Sequence, residues 1–121
     1  MNYIKKRGNA FSYAFQGLKA ASGEANLRLH FLAVLAVVVN GLYFGITTTE
    51  WCVLLICCGL VICLELINSA IERLCDAVIP ETNPKIKFVK DVSAAAVLMA
   101  AITSVIVGVI IFKPYVMALL S

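Results

Sequence analysis

Residues 51–64, WCVLLICCGLVICL, hold no charged side chain, and Glu65 follows at once. Hydrophobic residues make up 62% of the chain and charged ones 14%, against about a quarter in soluble domains. A run of this kind reads as part of a membrane-crossing helix, which needs about 17 to 25 mainly apolar residues. Two further apolar runs flank it. The 121 residues leave room for one small domain. The expectation is a single all-α integral-membrane domain over 1–121, with transmembrane helices at about 27–44, 51–78 and 87–112. So short a chain has little room for an internal cavity, which favours a site shared between subunits.

The middle run leads into CLELINSAIERLCD, residues 63–76. Steps of three and four residues stay on one helix face. Glu65, Asn68, Glu72 and Asp76 therefore form one polar stripe with Ser69 beside it, while Leu64, Leu66, Ile67 and Ile71 remain apolar. A carboxylate at bilayer depth is costly and marks a bundle interior or wet cavity with a specific task. Glu65 alone would also suit a hydrogen-bonding residue that holds helices together. Two carboxylates two turns apart with an asparagine between them fit a different purpose: hard oxygen ligands for a metal, and one acid free to act as a base.

Before the first span, residues 10–21 (AFSYAFQGLKAA) place Phe11, Ala14, Phe15 and Leu18 on one side, the pattern of an amphipathic surface helix. Ser22 is a candidate N-cap for the next helix, with Glu24 in its first turn. From there Glu24 can reach the Glu65–Glu72 stripe. His30, the single histidine, sits at the start of the first span, where an interfacial polar role is the ordinary one. One of Thr47, Thr48 or Thr49 is expected to cap the second span, Trp51 to lie in the aromatic belt, Pro80 to end that helix, and Lys113-Pro114-Tyr115 to end the third. Residues 93–96 and Gly108 offer small surfaces for helix packing. The five cysteines show no metal spacing and read as small buried hydrophobes.

Lys5, Lys6, Arg7, Lys19 and Arg28 precede the first apolar run, and Arg73, Lys85, Lys87 and Lys90 lie between the second and third. The short link between the first two has no lysine or arginine. The positive-inside rule then puts the amino terminus, the second loop and the polar stripe on the cytoplasmic side of a multi-pass protein. Glu24, Glu65, Asn68, Glu72, Lys90 and Asp91 collect near that face. Acids can hold Mg²⁺ shared with phosphate oxygens, a lysine can neutralise a transferring phosphoryl group, and a deep carboxylate can take a proton from a lipid-borne hydroxyl. That inventory suits phosphoryl transfer from a nucleotide to a lipid alcohol. A proton-coupled transporter subunit with Glu65 as a relay, and a membrane adaptor without chemistry, are the readings from other classes. No nucleic-acid partner is expected.

ELINSAIE (65–72) followed by KDVSAAAVLMAA (90–101), with YAFQGLKAA and GEANLR upstream, resembles the bacterial integral-membrane diacylglycerol kinases, a family that includes undecaprenol kinases. The similarity runs from about Phe11 to Phe112. The resemblance implies a homotrimer in the bacterial cytoplasmic membrane, with composite sites that transfer the γ-phosphate of MgATP to the hydroxyl of diacylglycerol or undecaprenol. It also implies roles: Glu65 as general base with Asn68 orienting the site, Glu24 and Glu72 as metal ligands, and Lys90, Asp91 and Tyr13 at the nucleotide. Asp76 falls on an acidic position of the family without an assigned role. Lys5, Lys6 and Arg7 compete for the place of a basic residue that approaches the nucleotide, and NPKIKFVKD (83–91) resembles the Gram-positive members.

Overall fold

A computed structural model describes residues 2–121, and these form four helices: α1 (Tyr3–Ala21), α2 (Ala25–Phe44), α3 (Thr48–Val78) and α4 (Pro84–Leu120). No strand occurs among the described residues. The last three helices are each long and apolar enough to cross a membrane, and the large apolar side chains along them are mostly exposed. The protein is an all-α membrane protein that turns its apolar side chains outward to lipid.

Helix α1 begins at Tyr3 rather than near Ala10, because Asn2 caps it by accepting from the Ile4 amide at 3.1 Å. Lys5, Lys6 and Arg7 are thus helical. Arg7 lies over the Tyr3 ring and donates to its hydroxyl at 3.0 Å. Phe11 and Phe15 stay exposed, as a helix resting on the membrane surface requires.

Ser22 closes α1 instead of opening α2. Its hydroxyl donates to the Lys19 carbonyl at 2.6 Å, and its amide reaches Leu18. Glu24 takes the N-cap position of α2 yet makes no side-chain cap, because its carboxylate is used across the helix gap on α3. Helix α2 ends at Gly45, whose φ of 62° is the left-handed conformation that glycine adopts without steric cost.

Thr47 is the threonine that caps α3. It accepts from the Glu50 amide at 3.2 Å while Glu50 accepts from the Thr47 amide at 2.9 Å, a reciprocal capping box. Glu50 also accepts from the Tyr115 hydroxyl at 2.5 Å. Tyr115 packs on Phe44 as well, with ring centroids 5.8 Å apart. These contacts hold α4 beyond the point where Lys113-Pro114-Tyr115 was expected to end it. Pro114 removes one backbone donor, but the helix runs on to Leu120.

Close to that end lies the main apolar cluster, Ile46, Leu54 and Ile111, with Trp51, Phe44 and Phe112 against it. Trp51 lies across Gly41: a β-carbon there would come within 2.6 Å of the indole. Gly41→Ala is expected to force the ring aside and destabilise the bundle by about 1–3 kcal/mol, the usual cost of overpacking. Thermal unfolding in detergent checks this, and an unchanged midpoint would mean that the ring moves freely.

Helix α3 stops at Val78 because Ile79 precedes Pro80 and is extended. Asn83 then caps α4 by accepting from the Lys85 amide at 2.8 Å, with Pro84 in the first turn. Helices α3 and α4 pack as a hairpin. Their contact buries Val61, Val97 and Ala100, and Ser104 bridges it by donating to the Cys57 carbonyl at 3.4 Å. The cysteines are free thiols; only Cys75 is buried.

Candidate active site

The polar stripe on α3 turns inward where the helices converge. Glu65 is 3% exposed, Asn68 5% and Ser69 7%, although they share a helix with lipid-facing leucines and isoleucines. The next turn emerges: Glu72 and Arg73 are exposed. One helix thus carries a buried acid at one level and a solvent-facing acid two turns further on.

Each buried group is held from a neighbouring helix. His30 of α2 brings Nε2 to 3.5 Å from Glu65 Oε2. Asn68 accepts a hydrogen bond from the Ser93 hydroxyl of α4 and donates through Nδ2 to Glu72 Oε1 at 3.3 Å. Ser93, Asn68 and Glu72 form a chain of bonds that fixes the amide between two helices and engages one oxygen of the exposed Glu72. Ser69 donates to Glu24 Oε2 at 2.5 Å, and Arg73 donates to Glu24 Oε1 at 3.2 Å. The short spacing from Glu24 to the first span therefore does bring this acid onto α3.

The Ser69 hydroxyl, and after it the Arg73 guanidinium, hold the Glu24 carboxyl below the usual range, against an opposing effect of desolvation. Glu24 is thus a carboxylate at neutral pH. It lies on an open cleft of about 380 Å³ between α1 and α3, lined by Gly17, Leu18, Ala21, Ser69 and Arg73.

Lys90 and Asp91 lie around a second recess, about 260 Å³, where the α3–α4 loop turns. Lys90 Nζ is 2.5 Å from Asp76 Oδ1, and Lys87 Nζ is 2.5 Å from Asp91 Oδ2. Glu72 also lies within electrostatic range of Lys90, which links this recess to the stripe. Exposed ion pairs of this type contribute little stability and exchange readily for another partner. Tyr13 stands apart: it is 67% exposed on α1 and takes no part in the bonds that join the other groups.

Among the described residues no three Asp, Glu, His or Cys side chains gather as a metal cage. Mg²⁺ seldom needs one, since it commonly binds through one or two carboxylates and completes its shell with water and phosphate oxygens. Glu24 and Glu72 flank Asn68, Ser69 and Arg73 from α2 and α3, and that donor set fits an ion brought in with a phosphate. Five groups in the network had no site role assigned from the sequence: His30, Ser69, Arg73, Asp76 and Ser93. Ser69 and Asp76 carried a signal there, as members or neighbours of the α3 stripe. His30 and Ser93 carried none, because their partners are set by how the helices cross.

Residues 12–112 match the sequence profile of the family described as prokaryotic diacylglycerol kinase. The undecaprenol kinase of Bacillus subtilis (strain 168) is 32% identical over 114 residues, which cover 93% of each chain. The diacylglycerol kinase of Escherichia coli (strain K12) is 36% identical over 98 residues, 80% of each chain. That of Helicobacter pylori (strain ATCC 700392 / 26695) is 34% identical over 100 residues, 82% of this chain and 78% of the relative.

Proposed function

The chain belongs to the prokaryotic diacylglycerol kinase family and is a lipid kinase; from that premise we propose that it transfers the γ-phosphate of MgATP to the hydroxyl of a membrane lipid, with Glu65 as the base. The observation that carries the reading is the buried Glu65 carboxylate, two helical turns from the outward Glu72 and on the same face. A lipid hydroxyl arrives from the apolar side, and a nucleotide from the water side. Few arrangements other than transfer between those two phases call for acids at both levels.

In this mechanism Glu65 accepts the hydroxyl proton as the oxygen attacks the γ-phosphorus. Asn68, fixed by Ser93, sets the direction of Glu72 and closes the floor between base and phosphate. Glu24 and Glu72 would hold the divalent ion that arrives with ATP, and that ion would supply charge neutralisation for the transferring phosphate. Lys90 leaves Asp76 to meet a phosphate oxygen, where a fixed cation lowers the barrier as charge develops. Asp91 and Tyr13 border the nucleotide. The working unit is a homotrimer whose sites lie at subunit junctions on the cytoplasmic face of the bacterial inner membrane, with the amino terminus on that side.

Diacylglycerol is the acceptor in the first reading, giving phosphatidic acid. Undecaprenol is the second, favoured by the undecaprenol kinase that this chain matches over nearly its whole length. Labelled MgATP offered with both alcohols in one mixed micelle decides between them. Label on diacylglycerol places the enzyme in glycerolipid turnover, and label on undecaprenol in the supply of a polyprenyl carrier. Label on neither, from folded protein, would overturn the acceptor assignment.

A further inference from the structure

The proton that Glu65 takes from an alcohol has to leave before the next turnover, and Glu65 is almost wholly buried, at 3% exposure. The nearest ionisable group is His30, with Nε2 3.5 Å from Glu65 Oε2 and a side chain 21% exposed against 4% for the glutamate. His30 also borders an apolar cleft of about 580 Å³ between α2, α3 and α4. Apart from His30 itself, Cys58 of α3 is the only titratable residue lining that cleft, and none of its α4 residues is ionisable. On its own helix, Arg28 is exposed and Glu24 is engaged by Ser69 and Arg73. The Glu65 side chain has almost no exposed surface of its own, so the partly exposed imidazole is the available route outward.

We propose that His30 is a positioning residue for Glu65 that also carries its proton away after each phosphoryl transfer. In the tautomer with hydrogen on Nδ1, Nε2 faces Glu65 with a free lone pair. After the lipid hydroxyl has given its proton to Glu65, the O–H bond at Oε2 breaks and an N–H bond forms at Nε2. The products are a carboxylate and an imidazolium side by side. The Nδ1 proton then passes to water, which leaves the hydrogen on Nε2; proton exchange with water restores the Nδ1–H tautomer, and Glu65 is ready for another alcohol. No oxidant or other reactant is needed, and the proton released matches the one lost by the hydroxyl. The separation of 3.5 Å is longer than a hydrogen bond, as acid–base pairs often are before substrate closes the site.

His30 acts only through Glu65, so this role rests on Glu65 being the base. The test compares the parent with His30→Gln and His30→Ala, using ATP-dependent lipid phosphorylation at saturating ATP and lipid. The amide introduced by His30→Gln can donate a hydrogen bond to Glu65 but cannot carry a proton. Both variants should lose about 10²-fold or more in kcat with KM for ATP nearly unchanged, the scale of a lost acid–base group. Free imidazole should restore part of the His30→Ala rate. Parent-like kcat in either variant, or no rescue of His30→Ala by free imidazole, would overturn the proposal. Full recovery in His30→Gln would overturn the proton-carrying role, since an amide would then suffice. If the parent itself phosphorylates no lipid alcohol, the kinase assignment fails first and the variants are not needed to show it.

Discussion

Glu65→Gln is expected to leave a folded oligomer that phosphorylates lipid about 10²- to 10⁴-fold more slowly, the range for removal of a general base. The side chain keeps its size, so the buried site keeps its packing, but an amide cannot accept the hydroxyl proton. Initial rates at saturating ATP and lipid measure the loss, and size-exclusion chromatography in detergent verifies the assembly. KM for ATP should change little, because the proposed nucleotide contacts lie further along α3 and on α4. Wild-type turnover in this variant would remove Glu65 from the chemistry altogether.

The second large effect concerns the metal. Glu72→Gln should raise the Mg²⁺ concentration needed for half-maximal rate by roughly tenfold or more, the scale seen when groups around a metal are altered. Asn68 donates to one oxygen of Glu72, so on the proposed reading a single ligand atom, the other oxygen, would be lost. Lipid affinity should hold, since Glu72 is exposed while the deeper groups are not. A metal titration is the measurement, and a curve superimposed on that of the parent would take Glu72 out of the metal site.

Helical periodicity is enough to make the α3 stripe legible. Glu65, Asn68 and Glu72 are fixed to one face by spacing alone, and the apolar run ahead of Glu65 sets the depth at which the stripe begins. Glu24 was also legible, because a short break after the surface helix keeps it near the boundary where α3 emerges. What spacing could not give were the partners across helix gaps. Ser93 meets Asn68 and His30 meets Glu65 only because α4 and α2 cross α3 at particular levels. Pro114 misled for a related reason. Proline signals a helix end when nothing opposes it, whereas here Glu50 and Phe44 grip the next residue and hold the helix on course.

Trp51 and Glu65 are separated along α3 by about 21 Å, and Glu72 lies about 10 Å beyond, at roughly 1.5 Å per residue. A hydrocarbon slab is about 30 Å thick. On the proposed reading, an indole at one boundary would make the helix a depth gauge: Glu65 would lie below the far headgroup plane and Glu72 level with it. A hydroxyl reaches the base only if it can sink to that level. Alcohols attached almost directly to their hydrocarbon chains meet that condition. Sugars, inositol and other bulky polar heads, though rich in hydroxyls, would hold them too high, and the membrane itself would then sort the acceptors before any pocket touches them.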